Sequence, residues 1–277
     1  MTIDSGSFPV PAALVEHARR FRAEGSTPAV PRVAATVLLL RPAAVGFEVY
    51  MIRRVAAMAF GGMYAFPGGG VDPSDAQAHP GWAGPDPEEW GGRLGVAAEA
   101  ARSVVCAAAR EVFEEAGVLL AGPDPATVVG DVSGDDWENA RVDLEKRRTH
   151  FAEFLTGRGL TLRSDLLLPW SRWITPEFEP RRFDTYFFVA LLPEGQRTRD
   201  VSGEADHTLW ISPADALRRS AAGELTMLPP TLLTLAQVAT AGDLPDVARL
   251  AAGRDAATPI TPRLADLDGD APYFTLD

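Results

Sequence analysis

The sequence predicts an α/β protein organised on a mixed β-sheet, and three stretches predict it. Residues 34–40 (AATVLLL) form an unbroken apolar run rich in β-formers, the mark of a strand buried on both faces. Residues 181–192 (RRFDTYFFVALL) read as a second long strand. Between them, Val105, Ala109, Val112, Phe113 and Ala116 recur at the spacing of one buried helix face, and Gly117 is placed to end that helix.

The remaining elements follow in order. Residues 1–31 are a lead-in with a short helix expected over 11–24. After the first strand, residues 46–54 alternate Phe47, Val49, Met51 and Arg53, as a hairpin partner would. Residues 72–95 are rich in Pro, Gly and acids and are expected as a loop insertion. Its Trp82 and Trp90 would either pack that loop on the body or stack on a substrate base. Residues 135–158 are expected as a helical insertion, one long amphipathic helix with Trp137, Ala140, Leu144, Phe151 and Phe154 on its apolar side. Residues 166–176 read as a strand ending in a turn. Residues 204–217 read as a strand and then a helix capped by Ser212 with Pro213 at its first position. One domain is expected over 32–222, with 223–277 as closing helices and a tail packed on it.

The bulk numbers narrow the function. In 277 residues, 46% hydrophobic and 23% charged, there is material for an ample core and nothing resembling a disordered chain. A net charge of −12 argues against a general nucleic-acid binder, because phosphate backbones require a basic surface. It leaves room for a small anionic substrate, since distant charges are screened beyond about 8 Å at physiological salt. Cys106, the single cysteine, reads as a buried structural thiol, and the four histidines have no ligand spacing. No signal peptide, no peroxisomal address and no apolar run near 18 residues is visible, so a cytoplasmic protein without a membrane span is expected.

The chemistry is concentrated between residues 66 and 120. At about 100° per residue, Glu111, Glu114 and Glu115 share one arc of the helix, clear of its apolar stripe. Such an arc is either a solvated face or a site where a cation relieves the repulsion, and oxygen ligands of this kind suit Mg²⁺ or Mn²⁺ rather than Zn²⁺. Arg110 lies four residues before Glu114, close enough to pair with it. Gly68, Gly69 and Gly70 form a glycine-rich turn where backbone can approach a ligand.

The string Arg-Glu-x-x-Glu-Glu-x-Gly over 110–117, preceded by Pro-Gly-Gly at 67–69, resembles the signature of the Nudix hydrolases. The resemblance implies an α/β/α sandwich around a mixed sheet. It implies that Glu111, Glu114 and Glu115 bind divalent metal, with Arg110 orienting one of them. The signature is interrupted here. Asp75 stands where a glutamate is usual, and 34 residues rather than seven separate it from Arg110, so about 27 are inserted. That split resembles the coenzyme A diphosphatase branch, as do the Trp-x-Thr-Pro segment at 173–176 and the Arg-Phe-Asp-Thr string at 182–185. Asp72 and Asp75 are the acids to watch.

On this resemblance the chain is expected to hydrolyse a diphosphate bond in a nucleotide, coenzyme A or acyl-coenzyme A first. ADP-ribose, NADH or a dinucleoside polyphosphate is the alternative, and a non-catalytic ligand sensor is the alternative of another class. Arg53 and Arg54 are either surface charges at a strand end or phosphate contacts. Asp184 is expected to pair with Arg172, Arg181 or Arg182, unless Arg181 or Arg182 holds a substrate phosphate. Glu204, upstream of Trp210, is the candidate for a further catalytic carboxylate, with a solvated loop acid as its competitor. A homodimer is compatible with the long helix and the extra termini.

Overall fold

The computed structural model describes residues 8–9, 12–55, 61–77, 80–200, 203, 205–269 and 272–276. At its centre lies a mixed sheet. Strand Arg32–Pro42 pairs in parallel with Phe183–Leu191 on one side and antiparallel with Phe47–Arg54 on the other. Ala205–Ile211 extends the sheet beyond Phe47–Arg54, and Leu168–Ile174 followed by Pro259–Ile260 extends it beyond Phe183–Leu191.

Because successive strand residues face opposite ways, the apolar run of the first strand feeds two cores. Val37 and Leu39 join Tyr186 and Phe188 beneath helix Ala98–Ala116. Leu38 and Leu40 join Phe187 and Val189 beneath helices Pro229–Val238 and Leu244–Ala252. All of these strand residues except Phe187 and Tyr186 are wholly inaccessible to solvent, each contributing about 1.5–3 kcal/mol. Helices on both faces of a mixed sheet make an α/β/α sandwich, as the sequence predicts. Helix Ala98–Ala116 ends at Gly117, whose φ of 66° and N–H bond to Phe113 O form the expected glycine stop. Ser212 caps helix Pro213–Ala221 by accepting from Asp215 N–H.

Three local expectations are corrected. The expected turn at Gly68–Gly70 is a short strand, paired antiparallel with Ala34–Thr36 alongside the N-terminal half of the central strand. A Cβ on Gly68 would lie 2.4 Å from Ala35 O, so only glycine lets the strand sit there. Residues 72–95 are not a loop. They hold helix Pro73–Gln77, strand Gly81–Ala83 and helix Pro87–Leu94, the last capped by Asp86 and stopped by Gly95 in the left-handed region. Trp90 is fully buried against Phe188, and Trp82 donates to Pro85 O, so both tryptophans pack the insertion down. Residues 135–157 form two helices, Asp135–Glu145 and Phe151–Gly157. Arg147 breaks them, with φ 54°, while Arg147 N–H bonds Leu144 O and Arg148 N–H bonds Asp143 O in a Schellman turn.

Cys106 is buried in the core beneath the sheet, and burial pushes its thiol up to about 12, an inert structural cysteine. No helix among the described residues is long and apolar enough to cross a membrane.

Replacing Gly68 by alanine drives a Cβ into Ala35 O. We expect a loss of about 2–3 kcal/mol, read as a lowered denaturation midpoint. Gly62→Ala is the comparison for a glycine with open space around it but a φ of 78°, and should cost about 1 kcal/mol. A Gly68→Ala chain as stable as the parent would show that the strand is not pinned there.

Candidate active site

The glycine strand brings its backbone against helix Ala98–Ala116, and the acids of that helix close around it. Glu115, 3% exposed, accepts a 2.6 Å bond from Gly68 N–H. The Glu111 carboxylate lies over Gly69, where a Cβ would be 2.5 Å from Oε1. The missing Cβ of Gly69 is thus space that the Glu111 carboxylate requires, and that of Gly68 is space for Ala35 O and Thr36 of the central strand.

Arg110 organises the rest. Its Nη1 donates to Glu111 Oε1 at 2.8 Å and Glu114 Oε1 at 3.2 Å, and its Nη2 donates to Gly70 O at 2.9 Å. The Nε and Nη2 also clamp Asp75 at 3.1 and 3.0 Å, the bidentate fork that favours arginine over lysine. Asp75 is 2% exposed. Burial works against the Arg110 charge, but Glu111, Asp75 and Glu114 together reverse this and raise its pKa. Burial pushes the Glu114 carboxyl up, with Arg110 pulling against it. Asp72 is held below the usual carboxylate range by the Ser74 backbone N–H against some burial, then by the Ser74 hydroxyl, Arg147 and Arg110. One guanidinium faces Asp75, Glu111 and Glu114, so the cluster keeps excess negative charge. As they stand, no three His, Cys, Asp or Glu side chains among the described residues converge closely enough to hold a metal ion.

These groups form one end of a cleft of about 700 Å³. Its walls also hold apolar side chains, among them Trp173, Ile174, Phe183, Leu228, Pro229 and Phe274. Glu179 also lines the cleft; burial pushes its carboxyl up, and His17 opposes this. The helical insertion supplies another wall through Leu144, Glu145, Arg147 and His150. Nothing in the sequence pattern marked Glu145, Arg147 or Glu179 as cleft residues, because the fold brings them there from separate segments.

The sequence-predicted residues separate clearly. Arg110, Glu111, Glu114, Gly68 and Gly69 line the cleft, with Glu115 just beneath them on Gly68. Arg54 lines it too, and its Nε is buried with no hydrogen-bond partner. Arg53 instead bonds Asp206 at 2.6 Å on the strand's other side. Arg182 is not in the cleft wall: its guanidinium donates to Thr175 O and Ala29 O, a structural tie between strands. Asp184 pairs with Arg172 through two bonds of 2.8 and 2.7 Å, which resolves its three candidate partners. Glu204 lies outside the described residues.

Residues 91–238, more than half of the chain, match the NUDT19 Nudix domain family. The chain belongs to the Nudix family. It is similar to the acyl-coenzyme A diphosphatase NUDT19 of Homo sapiens, with 27% identity over 250 residues, covering 77% of this chain and 66% of that protein. The Gallus gallus protein of the same name is 28% identical over 166 residues, 54% of this chain and 44% of that protein. The chain therefore spans between about two fifths and two thirds of these curated relatives. The crystal structure of a NUDIX hydrolase from Alicyclobacillus acidocaldarius superposes with a TM-score of 0.64 at 28% identity, over 79% of this chain and 96% of that one.

The Arg110–Asp75 pair is buried, so removing one partner strands the other's charge. Asp75→Ala is expected to cost about 3 kcal/mol in chemical denaturation. Glu89→Ala, which breaks an exposed pair with Arg93, should cost about 1 kcal/mol or less. Equal losses would show that Asp75 does not anchor the arginine.

Proposed function

We propose that this chain hydrolyses a diphosphate bond in a nucleoside diphosphate derivative, with coenzyme A or acyl-coenzyme A as first choice and Mg²⁺ or Mn²⁺ as cofactor. The observation that carries the reading is the gathering of Glu111, Glu114 and Glu115 around the Gly68–Gly70 strand at the charged end of a long cleft.

The chemistry of the donor set suits a divalent metal, although the carboxylates would have to draw together from their present positions to hold one. All the donors are carboxylate oxygens, the class hard cations take, and Arg110 leaves the cluster short of positive charge. Glu111, Glu114 and Glu115 are the groups that would hold it. When bound, Mg²⁺ or Mn²⁺ neutralises diphosphate oxygens and makes water a stronger nucleophile. The chain's own residues supply the rest. Arg110 fixes the rotamers of Glu111 and Glu114. Gly68 and Gly69 leave the strand bare, so phosphate oxygens can come against backbone. The Arg54 guanidinium, whose Nε has no partner, is available to a phosphate of the bound nucleotide. Glu114 is our candidate for the carboxylate that accepts the proton of the attacking water.

Choice of substrate rests on the shape of the cleft and on the relatives. A cleft lined by both a charged cluster and many apolar side chains suits a diphosphate attached to a long, mostly uncharged chain, as in acyl-coenzyme A. The Homo sapiens and Gallus gallus relatives carry the name acyl-coenzyme A diphosphatase.

Two measurements test the reading. A panel of coenzyme A, acyl-coenzyme A, ADP-ribose, NADH and diadenosine polyphosphates, assayed with Mg²⁺ and with Mn²⁺, should show fastest turnover of the coenzyme A compounds. Turnover of another member alone would replace the substrate, and turnover of none would favour a ligand sensor. Glu114→Gln should lower kcat at least about a hundredfold, ~2.7 kcal/mol of transition-state stabilisation, with an unchanged thermal melt. Near-normal kcat would remove this cluster from the chemistry.

A further inference from the structure

Three arginines line the cleft, and they are not equivalent. Arg110 is committed to Asp75, Glu111, Glu114 and Gly70 O. Arg54 and Arg147 have donors to spare. Arg54 pairs through its backbone with Met63, where the chain enters the glycine strand. Arg147 stands beside Asp72, where the chain leaves it.

Arg147 is the unusual one. It occupies the C′ position of a Schellman turn, with φ 54°, where glycine is normally found because a Cβ is disfavoured there by about 1 kcal/mol. A strained residue that faces a site invites a functional explanation. Its side chain is 83% exposed at the cleft rim, and its ion-pair neighbour, Asp72 Oδ2, is 3.7 Å from Nε, beyond hydrogen-bond reach. The planar fork is therefore open to a ligand, and a phosphate monoester dianion is the group it fits best. Its acidic surroundings, Asp72 and Glu145, leave an uncharged ligand no reason to require an arginine at this point.

We propose that Arg147 is a specificity residue that binds a phosphate monoester separate from the diphosphate, the 3′-phosphate on the ribose of coenzyme A. This rests on the coenzyme A reading above and deepens it. The floor of the cleft receives the diphosphate, the helical insertion reads the monoester at the rim, and nucleotides without that group lose the second anchor.

Binding tests this without relying on turnover. Titration calorimetry in Mg²⁺-free buffer compares adenosine 3′,5′-bisphosphate with 5′-AMP for the parent chain, Arg147→Gly and Arg147→Lys. The parent should bind the bisphosphate at least about tenfold more tightly, ~1.4 kcal/mol, and in Arg147→Gly that preference should fall to within about twofold. Arg147→Lys should retain part of it. Glycine suits the φ of this position, so Arg147→Gly should melt no lower than the parent. A parent with no preference for the bisphosphate, or with no binding of either nucleotide, overturns the proposal, as does an Arg147→Gly chain that keeps the preference. A chain that binds the bisphosphate through Arg147 but cleaves no coenzyme A compound would refute the hydrolase reading and leave this one standing.

Discussion

The Arg110 guanidinium is the interaction on which the site depends. It joins three pieces of chain: its own helix through Glu111 and Glu114, the glycine strand through Gly70 O, and the segment beyond through Asp75. Without it, Glu111 and Glu114 would share a crowded, half-dry helix face with nothing to offset their repulsion. With it, they are held at defined positions while the cluster as a whole stays electron-rich. A buried arginine is tolerated because every direction of its fork meets an acceptor. The glycine strand is the geometric complement. A side chain at 69 would displace the Glu111 carboxylate, and one at 68 would push the glycine strand off the central strand at Ala35 and Thr36.

The insertions are scaffolding as well as rim. Arg141, 1% exposed on helix Asp135–Glu145, donates from Nη1 to Glu114 O while pairing with Glu138 and Glu145. Arg199 shares Glu138, and its own N–H bonds Ala116 O. The last carbonyls of the glutamate helix, which have no partner within the helix, are thus taken up by cationic and backbone donors from later in the chain. That arrangement sets where the helix ends, and so fixes the height of Glu114 and Glu115 over the glycine strand.

Much of this was legible in the sequence, and the failures have physical causes. The acidic arc was readable because its residues lie within two helical turns, where spacing alone determines who shares a face. The sheet was readable because residues 34–40 and 181–192 have no solvent-facing period. The insertion at 72–95 carried its own helix signals, Asp86 as cap, Pro87 after it and Gly95 as stop, but its Pro and Gly content masked them. The break at Arg147 was not legible, since helix stops are recognised by glycine and this one is an arginine within a run of charges. Arg182 could be read as a phosphate contact only while its two carbonyl acceptors, one of them 153 residues away, were unknown. Arg53 and Arg54 are neighbours that a strand turns to opposite faces; only the fold reveals that Asp206 takes the first and the cleft the second.

A net charge of −12 and an anionic substrate are compatible because the cleft, not the surface, sets the local field. Its charged end is itself acidic, and that is its selectivity. Carboxylates at the floor exclude a bare phosphate anion unless a divalent cation comes with it, while guanidinia of the cleft wall attract the phosphates that no cation covers. On the proposed function, such a cleft would make binding of the diphosphate conditional on metal and binding of a peripheral phosphate independent of it. The two kinds of contact are then separable in the same molecule: the first should fade as Mg²⁺ is removed, and the second should fade only as added salt screens exposed arginines.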